Sequence, residues 1–265
     1  MTDSIRIGLV QMTCSERPEE NLKKAVDRIA EAAKKGAQII CLQELFRSRY
    51  FCQKEDPALF ELAEPIPGPT TEALSPLARK LGIVIIASLY EKGGFNTAVA
   101  IEADGTVAGK YRKVHIPDDL KNYYGEAYYF SKGDLGYPVF ATKFANIGLQ
   151  VCYDQWFPEG ARALAQAGAE IVFYPTAIGF GEVAEREAWI TVQRGHAISN
   201  GLFVAACNRV GREDHLNFWG NSFVADPMGK LLAKASADKE ETLVIECDLR
   251  RIEEVRKDWP FLKEC

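Results

Sequence analysis

The stretch KKGAQIICLQE, residues 34–44, joins the end of a helix to a buried strand and stops at two polar residues. Residues 37–42 are dominated by apolar side chains, a composition typical of strands that are covered on both faces. Upstream, residues 18–35 carry apolar side chains at helical spacing. Pro18 stands near the start of this segment and Gly36 just past its end, the positions these residues favour at helix termini. The sequence therefore predicts a helix–glycine–strand unit.

A variant of this unit recurs as AQAGAEIVFYPT at residues 165–176. The pattern of residues 158–166 predicts a helix, Gly168 supplies the stop, and residues 169–174 form a second apolar strand. Another strand is predicted just before this unit, over residues 147–151. Two copies of one unit predict pseudo-symmetric halves within a single domain.

The rest of the chain continues the alternation of strands and helices. The pattern predicts a helix over residues 70–81, and Asp104-Gly105 and residues 226–229 are hairpin turn signals. Further strands are predicted over residues 5–11, 83–90, 96–101, 107–111, 222–225, 231–233 and 242–247. This order indicates the α/β class, with helices outside a mixed sheet. No linker or low-complexity stretch divides the chain, so we expect one domain over residues 1–265.

Composition excludes several classes of function. The chain is 47% hydrophobic and 26% charged, as expected for a soluble globular protein. Its net charge of -5 argues against a nucleic-acid partner, which requires clustered Lys and Arg. No apolar run approaches the ~20 residues needed to cross a bilayer. The N-terminus lacks the basic and apolar regions of a signal peptide.

The seven cysteines are scattered and form no C-x-x-C pair, and the three histidines lie far apart in sequence. A zinc site or a redox pair is therefore not expected, and we predict neither a metal nor another cofactor. An odd number of thiols suits a reducing compartment, which predicts a cytoplasmic protein.

Three strand-like segments end in residues that can perform chemistry. Glu44 follows the first apolar strand, Lys113 follows the second hairpin strand, and Cys152 follows residues 147–151. A carboxylate can take the proton of a thiol and return it to a leaving amine. An ammonium, with a backbone N–H such as that of Tyr153, can stabilise the oxyanion of a tetrahedral intermediate. The set suits acyl or carbamoyl transfer to water.

Each of these residues also has a structural interpretation. Glu44 can cap a helix or lie on the surface, Lys113 can be solvated beside Arg112, and Cys152 can be a buried core thiol. The distances between them along the chain form no local motif. Spacing alone therefore leaves both interpretations open.

The blocks around these residues resemble the nitrilase superfamily of carbon–nitrogen hydrolases. They are QELF at residues 43–46, YRKVHIPD at 111–118 and GLQVCYDQWFPEGAR at 148–162. The resemblance extends over nearly the whole chain and implies a four-layer α-β-β-α sandwich that pairs into a homodimer or a higher homo-oligomer. It also implies a Glu–Lys–Cys triad, here Glu44, Lys113 and Cys152. A second glutamate is implied between the lysine and cysteine blocks, where Glu126 lies in YYGEAYYFSKGD.

Within the superfamily, residues 152–179 are most similar to the N-carbamoylputrescine amidohydrolases. Relatives acting on N-carbamoyl-D-amino acids have arginines where this chain has Gln155 and Trp156, so a carboxylate substrate is not expected. We expect Trp156 and Glu182 to contact substrate, with Glu185 or Glu187 as alternatives to Glu182 for an ammonium group. Six aromatic residues are further candidates to line the pocket: Tyr50, Phe51, Tyr123, Tyr124, Tyr128 and Tyr129.

The resemblance implies a small carbamoyl amine or amide as substrate, hydrolysed without a cofactor. Two alternatives remain: an omega-amidase or aliphatic amidase on the same scaffold, and a non-catalytic binding protein that kept the fold. Because all four candidate polar residues are present, the sequence favours an enzyme over the second alternative.

Overall fold

The computed structural model describes residues 4–179 and 183–264. Within these residues the chain forms five α-helices: α1 (Pro18–Lys34), α2 (Pro69–Leu81), α3 (Pro158–Gln166), α4 (Val183–Asn200) and α5 (Arg250–Asp258). Short 3-10 helices span Phe51–Gln53, Pro57–Leu62, Leu120–Asn122, Glu126–Tyr128, Cys152–Trp156 and Phe261–Glu264. No helix in this part of the chain is both long and apolar enough to cross a membrane.

The strands form two large sheets and two small ones. In chain order they are β1 (Ser4–Gln11), β2 (Ile39–Leu42), β3 (Val84–Glu91), β4 (Phe95–Ile101), β5 (Val107–Arg112), β6 (Asp118–Asp119), β7 (Tyr124–Gly125), β8 (Val139–Ala141), β9 (Asn146–Leu149), β10 (Ile171–Thr176), β11 (Phe203–Asn208), β12 (Val210–Glu213), β13 (Leu216–Trp219), β14 (Phe223–Ala225), β15 (Leu231–Lys234) and β16 (Glu241–Asp248). The first large sheet has the order β16-β1-β2-β3-β4-β5, and the second has the order β15-β14-β11-β10-β9-β8. Two short pairs, β6 with β7 and β12 with β13, stand outside these sheets.

The two large sheets have the same plan, which confirms the predicted pseudo-symmetry. In the first, β1, β2 and β3 are parallel, β16 and β4 flank them antiparallel, and β5 pairs antiparallel with β4, so that β5 runs in the same direction as the parallel core. In the second, β9, β10 and β11 are parallel, flanked by antiparallel β8 on one side and by β14 and β15 on the other. Each parallel core is built by two strand–helix–strand crossovers, the connection that parallel pairing requires.

The sheets pack face to face, with helices on their outer faces. Along β2, Ile39 and Cys41 enter the core between the sheets, whereas Ile40 and Leu42 pack with the residues of α1 and α2. Along β10 the same alternation sends Ile171 and Phe173 to the shared core, and Val172 and Tyr174 to the helices α3 and α4. The period of two along a strand thus places one set of side chains on each face. The predicted α-β-β-α sandwich is confirmed.

The two glycines of the repeated unit end their helices as predicted. Gly36 follows α1 with a φ of 90°, and Gly168 follows α3 with a φ of 93°, values that residues other than glycine rarely adopt. Both turns lead directly into a central strand. As a result, each unit delivers the carboxyl end of a buried strand to the same region between the sheets.

Several elements were not predicted from the sequence, among them the central strand β11, the short strands β6, β7 and β8, helix α5, helix α4 and the hairpin of β12 and β13. Helix α4 buries polar side chains such as Gln193, His196 and Asn200 beside Trp189, so its apolar pattern is weak. The hairpin of β12 and β13 turns at Asp214, which has a φ of 49°. Glycine usually occupies such a left-handed position and marks the turn in the sequence, but here the residue is an aspartate.

Candidate active site

Four segments bring the predicted residues together at one end of the two sheets. Glu44 lies two residues after β2, and its N–H donates to the carbonyl of Thr176 at the end of β10, 3.4 Å away. Lys113 follows β5 directly, and Cys152 lies three residues after β9. Because the carboxyl ends of parallel strands share one edge of a sheet, the fold collects these polar side chains there. Glu126 comes from a 3-10 helix after the short strand β7.

The turn after β2 is held in place by a buried arginine. Arg209 donates to the carbonyls of Glu44 and Leu45, each 2.9 Å away, and to that of Ser48 at 3.0 Å. Its charge is balanced by Glu213, with contacts of 2.7 and 2.9 Å. Leu45 has a φ of 48°, so the backbone bends sharply directly after Glu44. The guanidinium therefore fixes the orientation of the Glu44 segment.

Lys113 lies between two carboxylates. Its Nζ is 2.9 Å from Glu44 Oε1, and 2.8 and 2.7 Å from the two oxygens of Glu126. The three side chains are completely buried. Tyr50 donates its hydroxyl to Glu126 Oε1 at 2.7 Å, and Asn96 donates its amide to Glu44 Oε1 at 2.7 Å. Buried charges at this density are tolerated only when they are paired and hydrogen-bonded in this way.

The charged groups of this cluster shift one another's pKa values. Burial opposes the charged form of Lys113, but Glu126 and Glu44 outweigh it and hold the pKa of the ammonium well above its usual value. Burial raises the pKa of Glu126 to about 7, against the pull of Lys113 and with the repulsion of Glu44 adding to the rise. Lys113 therefore stays a cation throughout the physiological range.

Cys152 opens the 3-10 helix Cys152–Trp156 with a φ of 45°, in the left-handed region that residues with a side chain seldom occupy. Strain of this kind is concentrated at functional sites. Burial, followed by the charge of Glu44, raises the pKa of the thiol well above its ordinary value. The resting sulfur is therefore a protonated thiol.

The two oxygens of Glu44 have different surroundings. Oε1 accepts hydrogen bonds from Lys113 and Asn96. Oε2 is buried and has no hydrogen-bond partner within the described part of the chain. A buried carboxylate oxygen without a donor is costly, and such an atom calls for an explanation. Oε2 is the oxygen available to accept a proton.

A cavity of about 600 Å³ leads from the surface to this cluster. Cys152 and Glu126 lie on its wall, and Trp156, Ile178 and Trp219 supply apolar surface. Three further acidic side chains, Asp118, Asp119 and Glu185, line the same cavity. Among the described residues that line it, none is lysine or arginine. Within the described ranges, no cluster of three or more His, Cys, Asp and Glu side chains could hold a metal ion.

The residues predicted to contact substrate differ in their position relative to the cavity. Trp156 and Tyr153 line the cavity, and Glu185 lies on its wall. Glu182 lies outside the described residues. Glu187 is exposed on α4 and is not part of the lining.

Most of the six aromatic candidates do not face the cavity. Tyr124 lines it. Phe51 and Tyr129 instead pack edge to face, 5.0 Å apart, within a separate aromatic core. These two rings pack against neighbouring rings and are not among the described residues that line the cavity, so their contact with substrate stays a prediction.

Asn96 and Arg209 belong to the site but were given no role from the sequence. Asn96 is a fully buried amide in the mostly apolar strand β4, and Arg209 is a fully buried guanidinium. A polar residue inside an apolar strand is a signal that could have identified Asn96. Arg209 stands in the block NRVG, but its partners are more than 160 residues away along the chain, apart from Glu213.

Residues 6–257 match the carbon–nitrogen hydrolase family model. The chain belongs to the carbon–nitrogen hydrolase family. The resemblance noted in the sequence is thereby confirmed, and this carbon–nitrogen hydrolase is an enzyme of the nitrilase superfamily.

Two relatives of known activity are named for different substrates, and one solved structure has the same fold as this chain. An N-carbamoylputrescine amidase of Solanum lycopersicum is 42% identical, over 98% of this chain and 91% of that protein. A citrullinase of Francisella tularensis is 38% identical, over 98% of this chain and 95% of that protein. A crystal structure of a carbon–nitrogen hydrolase from Helicobacter pylori superimposes with a TM-score of 0.93 at 43% identity, covering 99% of this chain and 95% of that one. Family membership therefore does not determine the substrate, and the residues that line the cavity must be considered for that.

Proposed function

We propose that this carbon–nitrogen hydrolase converts N-carbamoylputrescine to putrescine, carbon dioxide and ammonia through a covalent intermediate on Cys152. The observation that carries the proposal is the unpartnered Oε2 of Glu44, whose charge acts on a protonated Cys152 thiol. A base and a nucleophile in this relation need no preformed thiolate, because the proton leaves as the sulfur attacks.

The first half of the reaction forms a carbamoyl thioester. Sγ of Cys152 attacks the carbamoyl carbon while Glu44 accepts the thiol proton. The oxyanion that develops is stabilised by the ammonium of Lys113 and by the backbone N–H of Tyr153, which directly follows the nucleophile. The bond between the carbonyl carbon and the alkyl nitrogen then breaks, and Glu44 returns its proton to the departing amine.

The second half releases the acyl group. Water attacks the thioester carbon, Glu44 accepts a proton from the water, and the same oxyanion donors act again. The carbon–sulfur bond breaks, the proton returns to sulfur, and carbamate leaves and decomposes to carbon dioxide and ammonia. Glu44, Lys113 and Cys152 are thereby restored.

Glu126 is assigned a positioning role. Both of its oxygens accept from Lys113, and Tyr50 holds Oε1 in place. The ammonium of Lys113 is therefore held between the two carboxylates. Because Glu126 also lies on the cavity wall, it can accept a hydrogen bond from an N–H of the carbamoyl group.

The charge of the cavity supports a cationic substrate over an anionic one. Asp118, Asp119 and Glu185 offer carboxylates toward the outer part of the cavity, and no lysine or arginine stands among its described lining residues. The terminal ammonium of N-carbamoylputrescine meets opposite charge there, whereas the α-carboxylate of citrulline meets like charge. The apolar surface of Trp156 and Trp219 suits the methylene chain.

A substrate panel tests this assignment. We expect kcat/KM for N-carbamoylputrescine to exceed that for N-butylurea, citrulline and N-carbamoyl-β-alanine by at least about tenfold, equivalent to about 1.4 kcal/mol. N-Butylurea has the same carbamoyl group and chain length without the ammonium. Equal turnover of citrulline or of a carboxylate substrate would refute the polyamine assignment while leaving the Cys152 mechanism intact.

Asp118 provides the matching variant test. Its side chain is exposed and makes no hydrogen bond or ion pair among the described residues. In Asp118→Asn we expect kcat/KM for N-carbamoylputrescine to fall about two- to fivefold, the size of a partly solvated ion pair. The value for N-butylurea should not change. Asp238→Asn, in an exposed turn remote from the cavity, is the control and should affect neither substrate.

The same panel decides between the remaining alternatives. An omega-amidase or aliphatic amidase would prefer amide substrates over carbamoyl amines. A non-catalytic binding protein would release no ammonia from any of them. The complete buried cluster of Glu44, Lys113, Glu126 and Cys152 supports an enzyme, because the charges are costly to keep without a use.

We also infer a homodimer, or a higher oligomer built from it. An apolar patch of Ile198, Met228, Val255, Trp259 and Phe261 surrounds a cleft of about 130 Å³. Exposed apolar patches of this kind mark interaction surfaces. We expect Trp259→Glu to shift the species seen by analytical ultracentrifugation toward the monomer. Leu135→Glu, at a similarly exposed leucine elsewhere, should leave the oligomeric state unchanged. If Trp259→Glu also leaves the oligomeric state unchanged, the inferred surface is contradicted.

We also infer a single domain and a cytoplasmic location. One domain over residues 1–265 is supported by a core cluster that joins both large sheets. A cytoplasmic location is supported by the six described cysteines, which are all free thiols.

A further inference from the structure

Asp154 is a fully buried carboxylate two residues after the nucleophile. Four donors saturate it. Its Oδ2 accepts from Tyr111 Oη at 2.8 Å and from the N–H of Val151 at 3.0 Å. Its Oδ1 accepts from the N–H of His115 at 2.9 Å and from Nδ1 of the same residue at 2.8 Å. An ionised carboxylate has about four acceptor sites, so none remains for substrate.

These donors come from the two segments that carry Lys113 and Cys152. Tyr111 and His115 stand two residues before and two residues after Lys113, and Val151 immediately precedes Cys152. Asp154 also donates its own N–H to the carbonyl of Val151 at 3.1 Å, which closes the nucleophile turn.

A ring contact reinforces this connection. The imidazole of His115 stacks on Phe157 with centroids 3.8 Å apart and planes 7° from parallel. Phe157 ends the 3-10 helix that Cys152 begins. The segment that carries Lys113 is therefore joined to the nucleophile turn at both ends.

We propose that Asp154 is a positioning residue that fixes the separation between the ammonium of Lys113 and the sulfur of Cys152. The proposal rests on the function proposed above for these two groups. An oxyanion donor acts only when it lies within about 2.7–3.1 Å of the developing charge, and a displacement of about 1 Å can cost about a hundredfold in rate. One carboxylate that bonds both segments sets this distance without touching substrate.

The test compares Asp154→Asn with the wild-type enzyme. Asparagine replaces one of the two carboxylate oxygens with an NH₂ group, which cannot accept a hydrogen bond. The two bonds that this oxygen accepts in the wild-type enzyme are therefore lost. We expect kcat for N-carbamoylputrescine to fall about ten- to a hundredfold, with KM within about twofold, because the outer cavity is unchanged. Tyr111→Phe removes one of the four bonds and should lower kcat less, by about two- to tenfold. This second variant keeps the test decisive if Asp154→Asn does not fold.

A second readout needs no substrate. Burial raises the pKa of the Cys152 thiol and the charge of Lys113 opposes that rise, so an ammonium displaced from the sulfur leaves the thiol less reactive. We expect iodoacetamide to alkylate Cys152 at least about threefold more slowly in Asp154→Asn. Because this rate is independent of the substrate, a failure of the substrate assignment and a failure of the positioning role are distinguishable.

Glu240→Gln is the matched control for general destabilisation. Glu240 also accepts four hydrogen bonds, two from Thr13 and one each from Lys24 and Arg28, but lies away from the cavity. We expect it to lower the melting temperature while kcat and the alkylation rate are kept. The positioning role is overturned if both Asp154→Asn and Tyr111→Phe retain wild-type kcat and alkylation rate. It is also overturned if Asp154→Asn raises KM at constant kcat, or if Glu240→Gln loses equal activity.

Discussion

Replacing Cys152 with alanine is expected to abolish turnover, by at least about 10⁴-fold, while the enzyme stays folded. No other sulfur among the described residues lines the cavity, and without Sγ no thioester can form. Cys152→Ser should be similarly inactive, because a hydroxyl is a far weaker nucleophile for the same base. Ammonia release measures turnover, and circular dichroism checks the fold. Full activity in Cys152→Ala would remove the basis of the mechanism.

Alkylation identifies the nucleophile independently. Iodoacetamide, itself a small amide, should modify Cys152 first, because Cys41, Cys52, Cys207 and Cys247 are sealed in the core. Cys14 is the one half-buried thiol among the described cysteines, but it does not line the cavity that would bind a small amide next to Cys152. Cys14→Ala should therefore be labelled at the wild-type rate and keep full activity, which peptide mapping by mass spectrometry can verify.

Replacing Lys113 with methionine is expected to lower turnover by about a hundredfold or more, the usual effect of losing one oxyanion donor. Lys113→Arg should not restore it, because a planar guanidinium cannot occupy the place of an ammonium between Glu44 and Glu126. Stability should fall as well. Removing one partner of a buried ion pair leaves charge uncompensated and costs about 3–5 kcal/mol.

A double variant separates these two effects. In Lys113→Met/Glu126→Gln one of the two orphaned carboxylates is replaced by a neutral amide, so part of the lost free energy of unfolding should return. Turnover should not return, because the oxyanion still lacks its cation. Denaturant unfolding and ammonia release on the same samples provide the comparison. Turnover within about tenfold of wild type in any Lys113 variant would contradict the assigned role.

The repeated helix–glycine–strand unit explains why so much of the fold could be predicted. Short-range signals such as Gly36, Gly168 and the alternation along β2 and β10 act within a few residues, so they are readable in one sequence. Helix α4 was not predicted because it buries polar side chains: His196 is hydrogen-bonded to the carbonyl of Gln155 in another element, a tertiary contact that no local pattern records.

The site was only partly predictable for a related reason. Glu44, Lys113 and Cys152 were recognisable as polar residues after strands and through the family blocks around them. Asn96 and Arg209 were not, because their contacts with Glu44 join residues 52 and 165 positions apart. The sequence could not decide which aromatic candidates line the cavity, because it does not show whether a ring faces a cavity or a neighbouring ring.

The sequence by itself determined the α/β class, the two pseudo-symmetric halves and the residue types available for nucleophilic chemistry, because these depend on local propensity and periodicity. Only the tertiary structure decided which groups meet and in which protonation state. Burying Lys113 between Glu44 and Glu126, and burying Cys152 where the charge of Glu44 acts on its thiol, depends on both sheets packing face to face. That packing removes water, and charges interact strongly enough to shift one another's pKa only where water is absent.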